Sequence, residues 1–250
     1  MGFVSLVLHQ VQAGFDDDGI YVMPAAALAQ LLDKAVARGC AVRSMVEARQ
    51  EPTAGRVLAL TFDDGFQSDY SLAAPLMLDR GQSATFFITT SFVGTAGYVG
   101  WPAVRELAAL GFEVASHSHG HPFLSRLPTA ALLADLRESR QRLEDAISRP
   151  VPGLALPFGD GSRRVFDAAW RAGYQYVATS MPGRNRPGQR VLGRISVHRR
   201  FPGGLLDAIL DGRTWPLWRL GAEYRLKALI KACVGFDNYR RLRRRIAEYY

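Results

Sequence analysis

The chain has 250 residues, 48% of them apolar and 22% charged, with a formal net charge of +8. That apolar share supplies a substantial core and excludes a disordered or low-complexity chain. No repeat of solenoid period is present, and no apolar run reaches the ~18–20 residues that span a bilayer.

The charge is uneven. From Arg213 to Tyr250 there are ten Arg/Lys against three Asp/Glu, so the rest of the chain is nearly neutral. A nucleic-acid partner, which needs a broad basic footprint, is not expected. The two cysteines, Cys40 and Cys233, sit far apart in mainly apolar surroundings and read as buried free thiols.

In chain order, short apolar runs alternate with amphipathic stretches. Residues 3–9 read as a buried strand. No basic residue precedes them and three aspartates follow soon after, which argues against an export signal and for a cytoplasmic protein. Residues 24–38 carry Leu28, Leu31, Leu32 and Ala35 at helical spacing, with Gly39 closing the helix. Strands follow at 56–62, 84–89, 112–116, 153–156, 174–179 and 191–198. Helices are expected at 70–80, 102–110, 129–147 and 163–171. This strand–helix order predicts a parallel sheet, open or closed into a barrel. Residues 215–233 and 238–250 read as two helices outside the alternation.

Ligand chemistry in such folds gathers in loops beyond the C-terminal ends of strands. Three segments sit there. The first is Thr61-Phe62-Asp63-Asp64-Gly65. Adjacent carboxylates at the end of a buried strand disfavour each other's ionisation, and a cation or a proton-transfer role would relieve this; a plain turn with a helix cap is the alternative. The second is Ser116-His117-Ser118-His119-Gly120-His121-Pro122. The entering strand, Gly120 and Pro122 place it in a loop rather than on a helix. Imidazole nitrogens are good ligands for zinc and related ions, whereas a chance surface cluster is the bland reading. His119 is expected to face away. Two histidines and one aspartate would leave a coordination position open for water, as a catalytic site requires. The third segment is Leu156–Asp160.

Together the Thr61–Gly65 run and His117-Ser118-x-x-His121-Pro122 resemble the first two motifs of the polysaccharide deacetylases, the NodB-homology proteins of carbohydrate esterase family 4. The resemblance extends from about Leu8 to about Val197. It implies an α/β fold, a distorted (β/α) barrel of about seven parallel strands over residues 1–205, with 206–250 as a basic C-terminal helical extension. It implies Asp63 as catalytic base and Asp64, His117 and His121 as ligands of a divalent metal, usually zinc. Leu156-Pro157-Phe158-Gly159 matches the third motif, in which the aromatic residue supplies a peptide N–H to the oxyanion. Pro157 and Phe158, with Trp101, are the expected substrate contacts; Phe92, Tyr98 and Phe123 are further rim aromatics. The implied reaction is removal of an N-acetyl group from an amino sugar in a glycan or a lipid-linked glycan precursor. O-acetyl or N-formyl hydrolysis, or a sugar-binding pseudoenzyme, are the alternatives.

The sequence departs from the family pattern in three places. Ala155 stands where many members carry an arginine that tethers the base. The later Asp-Trp motif and the final Leu-x-His motif, which supplies the general acid, are not recognisable. Alternation along 191–198 puts Arg194, Ser196 and His198 on one face. Arg194 is therefore the candidate to hold Asp63 and His198 the candidate acid. His9, at the end of the first strand, lines the same rim or caps the core. The basic tail, with Trp215 and Trp218, reads either as a solvated helix or as a peripheral contact with anionic lipid at the inner membrane face.

Overall fold

The computed structural model describes residues 2–14, 19–50, 55–199 and 201–234. The first strand, β1 (Phe3–Leu8), is buried along its whole length, as a parallel strand covered on both faces must be. After it come β2 (Gln10–Gln12), β3 (Val22–Pro24), α1 (Ala25–Ala37), β4 (Cys40–Arg43), α2 (Met45–Gln50) and β5 (Arg56–Phe62). The chain continues through α3 (Ala74–Leu78), β6 (Thr85–Ile88), α4 (Trp101–Ala109), β7 (Glu113–Ser116), α5 (Thr129–Ile147), β8 (Gly153–Ala155), α6 (Arg163–Arg171) and β9 (Tyr176–Ala178). Three short strands follow, β10 (Arg184–Asn185), β11 (Val191–Leu192) and β12 (Ile195–Ser196), then α7 (Gly203–Leu210) and α8 (Trp215–Val234).

Six strands run parallel in the order β1-β5-β6-β7-β8-β9. The seventh stave is split. Its first half, β11, pairs with β9, and its second half, β12, pairs with β1. The expected single strand over 191–198 is therefore two strands bridging the last gap of a seven-membered barrel. The break falls at Gly193-Arg194. A Cβ on Gly193 would collide with the Met181 carbonyl, so only glycine allows this approach. Asn185, itself buried, secures the break: its Oδ1 accepts from Gly193 N–H (2.8 Å), and its amide donates to Gly193 O (2.9 Å) and to Ser5 Oγ (3.0 Å).

Period-2 alternation divides the core. Leu58, Leu60 and Phe62 of β5 face the helices, whereas Val57 and Ala59 join Phe3, Phe87, Ala115, Ala155, Tyr176, Ala178 and Leu192 inside the barrel. Helix α2 stoppers the lower end with Met45 and Ala48. There Met45 N–H donates to Thr85 Oγ1, while Val46 N–H and Tyr176 OH donate to the buried Glu113.

One expectation is corrected. The helix expected over 70–80 begins instead as a π-turn, Asp69–Ala73, before α3; Pro75 has no N–H to complete a regular first turn. The division expected between residues 205 and 206 falls inside α7. That helix packs Ile209 and Leu210 into the core, and its Asp207 and the Asp211 that follows it pair with Arg38 at the end of α1, at 3.1 and 3.0 Å. Cys40 is a buried free thiol donating to Leu210 O. The helix expected at 238–250 and the Cys233 side chain lie outside the described residues.

Because Asn185 satisfies both peptide groups of a buried residue, Asn185→Ala strands a donor and an acceptor. Urea unfolding should show a loss of about 3 kcal/mol; a loss below about 0.5 kcal/mol would mean that the strand break is held by something else.

Candidate metal centre and catalytic cavity

The alternation that fills the barrel also builds its upper end. Continuing the inward-facing positions past each strand gives His9 after β1, Asp63 after β5 and His117 after β7. Asp63 N–H still donates to Leu8 O (3.0 Å), so the carboxylate is held in strand register. The next two residues, Asp64 and Gly65, turn left-handed, with φ of 73° and 83°. This reversal sends two adjacent carboxylates in different directions: Asp63 into the barrel, Asp64 toward the histidines.

Arg194 rises from the strand break into the space left by Ala155 and Ala178. Its guanidinium is fully buried and forks onto Asp63, Nη1 to Oδ1 at 2.6 Å and Nη2 to Oδ2 at 2.8 Å. It also donates to Thr61 Oγ1 (3.1 Å) and Thr179 O (3.3 Å), and its cation lies over the Phe87 ring at 5.1 Å. Burial by itself would raise the Asp63 pKa; the Arg194 charge, with help from His117 and the Arg194 hydrogen bonds, instead holds it below the ordinary carboxylate value.

Asp64, His117 and His121 converge. His117 Nδ1 lies 3.0 Å from Ala155 O, and since a carbonyl oxygen only accepts, Nδ1 donates there and Nε2 is the nitrogen left to serve as a ligand. That Nε2 is 3.4 Å from Asp64 Oδ1, and His121 Nε2 is 3.2 Å from the same oxygen. Asp64 Oδ1 is buried and accepts no hydrogen bond. Ligand atoms at ~2.0–2.1 Å from a tetrahedral zinc are about 3.3 Å apart, so this set fits a zinc-sized ion. Burial raises the Asp64 pKa and the two imidazoles overcome it, keeping the group ionised.

The loop carrying His121 is pinned from below. Asp135 of α5 accepts from His119 and Gly120 N–H at 3.0 and 2.9 Å, and Ser118 Oγ accepts from His121 N–H at 3.0 Å. His119 turns away toward Thr90 (2.8 Å) and Glu138 (3.6 Å).

A cavity of about 680 Å³ opens over these groups. Asp63, Asp64, His117 and His121 form its floor; His9, Tyr21 and His198 form one wall and Phe158 another. Phe158 holds a left-handed backbone (φ 59°), stacks on Phe123 at 4.2 Å and meets His121 edge-on at 4.7 Å. The far wall belongs to α8, through Arg219, Leu220, Glu223 and Tyr224.

Other expected residues stand elsewhere. Trp101 opens α4 and packs half-buried against the core, away from the cavity, because the first turn of an amphipathic helix turns its large apolar side chain inward. Pro157 is buried beneath the wall rather than lining it. Phe92, Tyr98 and Phe66 stack on one another beside His121. His198 follows β12 and lines the cavity, across Tyr21 from His9.

Sequence reasoning missed Asn185, Gly193 and the α8 wall. It left His9 undecided, yet His9 is a cavity residue within electrostatic reach of Asp63, Asp64 and His117; burial pushes its pKa below the ordinary value.

The family profile described as polysaccharide deacetylase matches residues 50–177, half of the chain. The chitooligosaccharide deacetylase of Bradyrhizobium sp. (strain ANU 289) is 29% identical over 140 residues, covering 53% of this chain and 61% of its own. The peptidoglycan-N-acetylglucosamine deacetylase of Bacillus cereus is 28% identical over 130 residues, covering 52% and 59%. The chain thus spans about three fifths of the length of these relatives. Among solved structures, IcaB from Ammonifex degensii superposes with a TM-score of 0.74 at 24% identity, covering 86% of this chain and 97% of that one. The Streptococcus pyogenes deacetylase PplD in complex with acetate also gives 0.74, at 21% identity, covering 80% and 94%. These two likenesses show the fold. The matched profile carries the assignment: the chain belongs to the polysaccharide deacetylase family, carbohydrate esterase family 4.

Proposed function

We propose that this protein hydrolyses the N-acetyl group of an amino sugar in a glycan, with Asp63 as general base beside a zinc ion held by Asp64, His117 and His121. The observation that carries this reading is the geometry of the floor. Three neutral or anionic ligand atoms converge on one point, and His117 Nε2 stands 3.9 Å from the clamped Asp63 carboxylate. Names of the relatives, a chitooligosaccharide and a peptidoglycan deacetylase, point to the same class of substrate.

A divalent ion bound there would supply Lewis acidity, lowering the pKa of water and polarising the acetyl carbonyl. The protein's own groups do the rest. Asp63, kept ionised by Arg194, accepts the proton of the attacking water. Charge developing on the carbonyl oxygen is met by the Phe158 N–H, presented on a left-handed turn at the cavity wall. The leaving amine needs a proton. Of the two cavity-facing imidazoles, His9 is the one that feels the charges of Asp63, Asp64 and His117; its lowered pKa makes it a ready donor once it holds a proton, and we assign the step to it in preference to His198. Arg194 also answers the argument for a pseudoenzyme, since the cation missing at Ala155 is supplied from the seventh stave.

Zinc content and acetate release from acetylated chitooligosaccharides test the reading. Chelation and His117→Ala should remove metal and activity together. Asp63→Asn should keep the metal and lose about 10²–10⁴-fold in kcat. Sugar binding without acetate release, across zinc, cobalt, nickel and manganese, would overturn it.

Arg194→Met should lower kcat/KM about a hundredfold by misplacing the base. It should also move the acid limb of the pH–rate profile upward. Asp63 acts as a carboxylate and Arg194 depresses its pKa, so removing the cation raises that pKa and protonates the base at higher pH. Arg194→Lys should restore part of the shift. An unmoved acid limb would separate Asp63 ionisation from Arg194. For the acid, His9→Gln should reduce kcat about a hundredfold with little change in KM, and more than His198→Gln does; the reverse order would transfer the role to His198.

A further inference from the structure

Helix α8 has two faces. Leu217 and Leu220 pack against the core, and Leu220, Glu223 and Tyr224 wall the cavity. On the opposite side Trp215, Trp218, Leu226, Leu229 and Ile230 are all exposed, Trp218 by 72%, Leu229 by 63% and Leu226 by 58%. At 100° per residue these five, with the exposed Ala222, fall in one stripe about 120° wide running the length of the helix, interrupted by Arg219. Two tryptophans and three aliphatics grouped in one arc are far from the scattered single apolar residues of an ordinary surface.

The charge around the stripe says what covers it. Arg213, Arg219 and Arg225 lie on the same helix or just before it. From Arg213 to Val234 there are five Arg/Lys against one acidic residue, Glu223. A helix that exposes two tryptophans and three aliphatic residues among arginines suits the plane of an anionic membrane interface, its tryptophans at headgroup depth. Among the described residues no helix is long and apolar enough to cross a membrane. A second copy of this chain would bring like charges together, which disfavours a homodimer through this face.

We propose that α8 is an interfacial anchor that docks the protein on an anionic lipid bilayer through Trp215, Trp218, Leu226, Leu229 and Ile230. The inference does not depend on the catalytic reading. Its consequence is positional: Arg219 lies within the apolar stripe and Glu223 beside it, and both line the cavity wall, so docking sets the cavity beside the lipid surface.

The test is vesicle flotation of the full chain. Phosphatidylcholine vesicles containing phosphatidylglycerol should carry the protein, with a blue shift in tryptophan emission, and pure phosphatidylcholine vesicles should carry much less. Salt should weaken binding, since the basic flank contributes through screened charge. The variant Trp218→Ser/Leu226→Ser/Leu229→Ser should lose about tenfold or more in apparent affinity, because the apolar area it can insert is largely gone. The same variant should still release acetate from a soluble oligosaccharide, which separates this inference from the catalytic one. No capture by anionic vesicles overturns the proposal, as does equal capture of wild type and variant. So does light scattering that shows a dimer which the variant dissociates, for then a second copy covers the stripe.

Discussion

The ion pair between Arg194 and Asp63 is the constraint around which the upper half of the barrel is arranged. A carboxylate almost wholly removed from water is unstable as an ion unless a partner charge and several donors replace its hydration. Arg194 supplies both through a two-pronged contact at 2.6 and 2.8 Å. To reach that position a long side chain must enter a barrel interior that is otherwise closely filled. The inward positions at Ala59, Ala115, Ala155 and Ala178 are small, and the seventh stave opens at the level where the guanidinium passes. The split strand, Gly193 and the Asn185 clamp are thus parts of one solution to burying an ionised carboxylate.

Much of this was legible in the sequence, and the parts that were not share a physical reason. Periodicity located helices at Thr129–Ile147 and Arg163–Arg171 because local side-chain spacing decides those elements. The paired motifs placed Asp63, Asp64, His117 and His121 together because each follows a buried strand. Residues 191–198 misled because their alternation is locally perfect for one strand. What breaks it is the Met181 carbonyl and the Asn185 side chain, contacts made by turns elsewhere in the chain. Arg194 was visible as a cation of the correct parity, but its depth depends on the small residues opposite. Trp101 drew notice as a rim aromatic, although an amphipathic helix start buries such a residue. For α8, composition announced a helix but said nothing of the cavity it walls.

Strain follows the same geography. Five non-glycine residues among those described have positive φ, and four of them, Asp64, Ser118, His121 and Phe158, surround the cavity. Each such residue costs on the order of 1 kcal/mol or more and persists only where neighbours over-determine it. The neighbours are identifiable here. Asp135 and Ser118 hold the His121 loop, the strand-register bond to Leu8 holds Asp63 ahead of the Asp64 turn, and Phe123 backs Phe158. Left-handed turns at these points give short loops abrupt changes of direction, which is how three segments distant in sequence bring polar atoms within a few ångströms of one another.

The two ends of the barrel show what a partner's charge decides. Glu113 and Asp63 are both carboxyl groups turned into the interior and largely removed from water. Glu113 is served by neutral donors, Tyr176 OH, Thr85 Oγ1 and Val46 N–H, with Arg49 acting only at longer range; burial prevails and its pKa rises. Asp63 has a guanidinium in direct contact, and its pKa falls. Burial is common to both, so the difference lies in the cation. By admitting Arg194 at one end alone, the barrel shifts the pKa values of two carboxyl groups in the same interior in opposite directions, Glu113 upward and Asp63 downward.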